Sequence, residues 1–135
     1  MKILLISHGD FAAGMCKTLH DFFGAENVYA ARVTQENGTA DLMSKARAYL
    51  EQWSGEQVVI CSDLKGGSAN QAALELLARP DTYLISGMNL SLVLQLQMED
   101  QVDPETIQEI MANAKEDMVL VNELLNAQAD NDEDE

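Results

Sequence analysis

The chain has 135 residues, 47% of them apolar, two cysteines, and 8 basic against 23 acidic side chains for a formal net charge of −15. That length suits one domain, able to bury about two-thirds of its unfolded surface without covalent staples. The apolar content excludes a disordered chain, the cysteine count excludes a disulfide framework or a cysteine-based zinc module, and the charge excludes nucleic acid and anionic membrane faces while favouring a basic protein partner.

The longest early apolar run, Ile3-Leu4-Leu5-Ile6, is far short of the ~20 residues of a membrane span or the ~7 of a signal-peptide core, so a soluble, cytoplasmic protein is expected. Lys2–Ser7 is too short for a helix and reads as a buried strand. Asp10 is placed to cap a helix on which Ala12, Met15, Cys16, Leu19 and Phe23 recur up to Gly24. Val28–Val33 is a second strand. Gly38 precedes a helix with Leu42, Met43, Ala46, Tyr49, Leu50 and Trp53 on one stripe, stopped near Ser54-Gly55. Gln57–Ser62 is a third strand and Asp63–Gly67 its outgoing loop. Gly67 or Ser68 then starts a helix carrying Ala69, Ala72, Ala73, Leu76 and Leu77, closed by Pro80. Thr82–Ser86 is a fourth strand, and Gly87-Met88-Asn89 leads into a helix reaching about Met98. Asp103 caps a further helix with Pro104 at its first position and Ile107, Ile110, Met111 and Ala114 inside.

Residues 118–122 admit two readings. Helical spacing from Ile107 through Met118 to Leu125 allows one long helix. Met118-Val119-Leu120-Val121 is also an unbroken apolar run with two β-branched members, which suits a strand pairing with the sheet edge of a partner chain. After about Ala129 the chain is acidic and of low complexity. The expected organisation is one domain over residues 1–129 with a disordered tail at 130–135.

Apolar strands alternating with amphipathic helices predict an α/β fold: three layers, α/β/α, around a mainly parallel four-stranded sheet. In such a sheet ligands gather beyond the carboxyl ends of the strands, where strand order reverses. The stretches there are Ser7–Asp10, Thr34–Gly38, Asp63–Ser68 and Gly87–Asn89.

His8 lies just beyond the first strand, with one ring nitrogen free to face the crevice; the plainer alternative is a loop histidine bonded to a carbonyl. His20, late in the first helix, suits the helix dipole and a structural role. Asp63, at the end of the third strand, should share the sheet edge with His8, where a carboxylate accepting from Nδ1–H would leave Nε2 as the nucleophile; a helix cap or solvated loop acid is the alternative. Gly66-Gly67-Ser68 allows close backbone approach and adds a hydroxyl at a helix start, or is a plain turn. Lys65-Gly66-Gly67-Ser68 lacks the P-loop order, Gly66-Gly67-Ser68-Ala69-Asn70 lacks the last glycine of a hydrolase elbow, and no Cys/His cluster suggests zinc. Cys16 and Cys61 fall on apolar positions and read as core.

Ser7-His8-Gly9-Asp10-Phe11-Ala12, Asp63-Leu64-Lys65-Gly66-Gly67-Ser68-Ala69-Asn70-Gln71-Ala72 and Gly87-Met88-Asn89-Leu90 resemble, in order over about residues 1–122, the IIA domains of the mannose family of the bacterial sugar phosphotransferase system. Many relatives have proline where this chain has Ala69, and proline or alanine at Ser91. The resemblance implies a phosphotransferase component that carries a phosphoryl group on His8, taking it from the histidine phosphocarrier protein and passing it to the IIB component. It implies that Asp63 orients the ring and Ser68 bonds the phosphoryl group, with Gly9, Gly66, Gly67 and Asn89 as binding positions. No metal or cofactor is implied. It also implies a homodimer exchanging a late strand, a fifth one antiparallel to the rest, with contact to the membrane components only through IIB. Two rivals stand beside it: a related phosphotransfer subunit serving a dihydroxyacetone kinase or a regulatory phospho-switch, and a hydrolase using Ser68, His8 and Asp63 as a triad.

Overall fold

The computed structural model describes residues 1–133; Asp134 and Glu135, the end of the acidic tail, lie outside the described residues. The elements are β1 (Lys2–His8), α1 (Phe11–Phe23), β2 (Val28–Val33), α2 (Ala40–Gln52), β3 (Val58–Ser62), α3 (Ser68–Ala73) continued by a 3-10 turn at Leu74–Ala78, β4 (Thr82–Ser86), α4 (Leu90–Leu96), α5 (Pro104–Lys115) and α6 (Val121–Glu133). The strands form a four-stranded parallel sheet in the order β2-β1-β3-β4.

Burial on both faces explains why β1 and β3 read as continuous apolar runs and not as alternating ones. Ile3 and Leu5 face one core with Leu19 of α1, Val93 of α4 and Ile107 of α5. Leu4 and Ile6 face the other with Leu42, Ala46 and Leu50 of α2 and Ala69 and Ala73 of α3. Cys61 is fully buried in β3, and burial pushes its thiol up to about 12. The chain leaves β1 toward β2 on one side and leaves β3 toward β4 on the other. The switch point therefore lies between the carboxyl ends of β1 and β3, with α1 and α3 departing onto opposite faces. Among the described residues no helix is long and apolar enough to cross a membrane.

Three details differ from the sequence-based expectation. Residues 118–122 form neither a strand nor part of one long helix: α5 stops at Lys115, Met118–Leu120 is irregular, and α6 begins at Val121. A strand needs a ladder partner, and among the described residues that run pairs with no strand. The fifth, antiparallel strand and its exchange are therefore absent from the fold of one chain. Residues 130–133 continue α6 where a disordered tail was expected, because extending an existing helix adds a hydrogen bond per residue fixed and Ala127, Gln128 and Ala129 are good helix formers. Asp10 occupies the N-cap position of α1 without capping it. Asp103 does cap α5, its side chain accepting from the Thr106 N–H at 2.7 Å behind Pro104.

Gln57, just before β3, holds the segment leading into α5 by a paired amide contact. Its Nε2 donates to the Val102 carbonyl and its Oε1 accepts from the Val102 N–H, both at 2.7 Å and both buried. Gln57→Leu keeps the volume but leaves two buried backbone groups unpaired, which is expected to cost about 2–4 kcal/mol. Urea denaturation of the two proteins checks this.

Candidate functional site

β1 runs one residue further than its apolar run suggests and ends on His8. Ser7, fully buried before it, donates from Oγ to the His8 carbonyl at 3.1 Å and accepts the Ala12 N–H at 2.8 Å. This serine, and not Asp10, satisfies a first-turn donor of α1 and ties the histidine's backbone to the helix. The Asp10 carboxylate is turned instead to the Arg32 guanidinium across β2.

Asp63 follows the last residue of β3, on the strand beside β1. Its Oδ2 accepts both the His8 backbone N–H at 2.9 Å and the His8 ring at Nδ1 at 2.8 Å, while its Oδ1 accepts the Leu64 N–H at 3.0 Å. Burial opposes ionisation of Asp63, but the bonds from the His8 backbone, the His8 ring and the Leu64 N–H outweigh it and hold the carboxyl below its ordinary value. The carboxylate is acceptor only, so Nδ1 carries the proton and Nε2 keeps its lone pair. Ser68 Oγ lies 2.9 Å from Nε2 and donates to it. The His8 side chain is 48% exposed while that of Asp63 is 11% exposed, so the carboxylate is covered and the imidazole is open.

The loop Asp63–Ser68 is shaped to fit the ring. Gly67 N–H donates to the Leu64 carbonyl at 3.1 Å, with Gly66 at φ +78 in the third position of the turn, a conformation suited to glycine. A Cβ on Gly67 would lie 3.3 Å from His8 Cε1 and from the Leu64 carbonyl oxygen, a tight contact that would press on the ring or the loop. Buried Ser62 Oγ donates to Asn70 Oδ1 at 2.7 Å, fastening the end of β3 to α3 on either side of the loop. Gly9, at φ +54, donates to the Val33 carbonyl at 3.0 Å and lets the chain turn from β1 into α1. An open cleft beside His8 is walled by Gly9, Asp10, Arg32 and the loop after β2.

His8, Asp63, Ser68, Gly66 and Gly67 are thus brought together. Asn89 is placed differently. Its Oδ1 caps α4 by accepting the Leu92 N–H at 2.8 Å, and its Nδ2 donates to the Ala114 carbonyl at 2.9 Å, so its amide is spent joining α4 to α5. His20 is exposed late on α1, its Nδ1 3.1 Å from Asp21. Ser7 and the Asp10–Arg32 pair escaped the sequence reading. A serine interrupting an apolar strand directly before the histidine was the available signal for the first; a pair set by strand register has no local signal.

A carboxylate, an imidazole and a hydroxyl thus lie in line at the switch point of a parallel α/β sheet. The family model described as PTS system fructose IIA component matches residues 2–115. The sorbose-specific EIIA component of the phosphotransferase system of Klebsiella pneumoniae is 31% identical over 94 residues, 69% of this chain and 70% of that protein. The PTS IIA protein associated with the fucose utilization operon of Streptococcus pneumoniae superposes with a TM-score of 0.79 at 25% identity, over 92% of this chain and 95% of that one. The mannose/sorbose specific IIA subunit of Enterococcus faecalis shares the fold, with a TM-score of 0.67 at 24% identity over 85% and 86% of the two chains. The chain belongs to the mannose-type IIA family of the sugar phosphotransferase system.

Because the Asp63 carboxyl is lowered in the fold, its bonds add stability above its unfolded pKa, and that stability is lost as pH falls through the folded value. Asp63→Asn is therefore expected to flatten the acid limb of the stability curve. Denaturant midpoints from about pH 6 down to about pH 2 check it, an unchanged limb counting against the ionised Asp63–His8 contact.

Proposed function

We propose that the protein is a phosphocarrier of the sugar phosphotransferase system, in which His8 Nε2 accepts a phosphoryl group from the histidine phosphocarrier protein and hands it to a IIB component in the cytoplasm. The observation that carries this reading is the Asp63–His8–Ser68 line, which fixes one tautomer on a ring that is half exposed. Phosphoryl transfer asks the protein for alignment and charge stabilisation more than for covalent help.

The transfer balances on the ring. The Nε2 lone pair forms the new N–P bond as the donor's N–P bond breaks, its electron pair returning to the donor's ring. The Nδ1 proton stays between His8 and Asp63, whose negative charge stabilises the ring while both nitrogens are substituted. Ser68 Oγ–H now points at the same lone pair, so it must turn away for attack and is then placed to donate to a phosphoryl oxygen. Asp63 keeps the phosphorylated nitrogen a good leaving group for the onward step.

The same line has the residue order of a hydrolase triad. The backbone argues against that rival. The nucleophile of a hydrolase elbow sits on a strained turn, whereas Ser68 follows an extended Gly67 (φ −69, ψ 163), and Asp81 is the only non-glycine residue at positive φ among the described residues.

His8→Ala is expected to abolish labelling by radioactive phosphoenolpyruvate and the general carrier proteins, and His20→Ala to retain it. Acid-labile label persisting in His8→Ala would remove the assignment.

We further infer a homodimer. Every residue from Lys115 to Asn131 is exposed, among them Met118, Leu120, Val121, Leu124 and Leu125, and α6 stands off the body with its apolar side uncovered. A second copy covering that segment would remove this surface from water. Light scattering at micromolar concentration is expected to give a dimer, with deletion of residues 118–135 yielding monomer or aggregate; a stable full-length monomer would overturn the inference.

A further inference from the structure

On a surface this acidic, the engagement of each cation is informative. Six of the eight basic side chains have a partner in the structure. Lys17, Arg32 and Arg47 pair with Asp21, Asp10 and Glu75; Lys2 and Lys45 lie over the rings of Tyr29 and Tyr49; and Arg79 donates to the carbonyls of Trp53 and Glu56. Lys115 is in the last turn of α5, where a cation complements the carbonyl end of the helix. Lys65 alone is exposed with neither kind of partner among the described residues, and it sits in the loop that wraps His8.

Its position is set by the turn. Lys65 is the second residue of the turn closed by the Gly67 N–H and the Leu64 carbonyl, two residues after Asp63 and three before Ser68. Gly67 holds this loop against the His8 ring at Cε1, and Ser68 Oγ lies beside Nε2, so whatever binds to Nε2 emerges next to the loop that carries Lys65. The loop is tethered at both ends, by the Asp63 bonds on one side and by the start of α3 on the other.

We propose that Lys65 is the counter-cation of the phosphoryl group on His8 Nε2, its ammonium meeting a phosphoryl oxygen while Ser68 Oγ–H meets another. The proposal rests on the phosphocarrier reading and deepens it by naming the group that offsets the charge. A phosphoryl group brings up to two negative charges beside the Asp63 carboxylate. The other cation near the cleft, Arg32, is already occupied by Asp10. A free ammonium on a flexible stem supplies the missing positive charge without a pre-formed pair having to break, and the same charge stabilises the equatorial oxygens as the group passes. Lysine suits the task because it is a point charge that follows the group without demanding one geometry.

The test uses the full chain with His20→Gln, so that one histidine remains, phosphorylated with phosphoramidate and titrated by phosphorus NMR. A nearby cation lowers the second pKa of the phosphoryl group. Lys65→Gln is therefore expected to raise it by on the order of half a unit, an effect shrinking as salt is added. Lys65→Arg should restore the original value, and removing the neutral Asp10–Arg32 pair together, as Asp10→Asn with Arg32→Gln, should move it less than Lys65→Gln does. An unshifted titration in Lys65→Gln, or a larger shift in the paired variant, would overturn the proposal even with His8 phosphorylated. Absence of any phosphohistidine signal from the parent protein would instead remove the phosphocarrier reading, and this proposal with it.

Discussion

One carboxylate oxygen, Oδ2 of Asp63, receives both the backbone and the ring of His8. The backbone bond ties the end of β1 to the residue leaving β3, where the sheet's own ladder runs out. The ring bond fixes the tautomer. Because a single atom does both, the orientation of the imidazole is referenced to the adjoining ends of β1 and β3. Around the ring so fixed, Nε2 faces Ser68, the loop turns tightly at Gly66, and Gly67 passes close enough that a Cβ there would crowd Cε1.

Asp63 is kept ionised by the His8 backbone, the His8 ring and the Leu64 N–H, so the ring has a permanent negative neighbour. The chain as a whole carries a large excess of acids, a field that attracts basic surfaces and repels anions. The exposed Asp10–Arg32 pair contributes little to stability, but it neutralises charge at the rim of the His8 cleft.

The core around this site is divided by the sheet into two separate clusters, one beneath α1, α4 and α5 and one beneath α2 and α3. α6 joins neither. Its apolar residues have the period of a helix that packs against something, while the body offers them nothing. Within one chain those residues stay exposed to water.

Much of this was legible along the chain. Ile3-Leu4-Leu5-Ile6 is too short and too apolar to be anything but a strand buried on both faces, and Asp103-Pro104 marks a helix start by local chemistry alone. Because strand ends of a parallel sheet converge on one edge, His8 and Asp63 could be assigned to the same crevice from their positions alone. What the sequence could not contain was the allocation of hydrogen bonds among residues far apart in it. Ser7, not Asp10, serves the start of α1; Asn89 spends its amide on α4 and α5; and Met118–Val121, with strand-like composition, joins no ladder and is irregular and then helical. Local patterning decides which elements form, since period and propensity act over a few residues. Only the folded chain decides which donor meets which acceptor, since that depends on register and crossing between elements that are not neighbours in sequence.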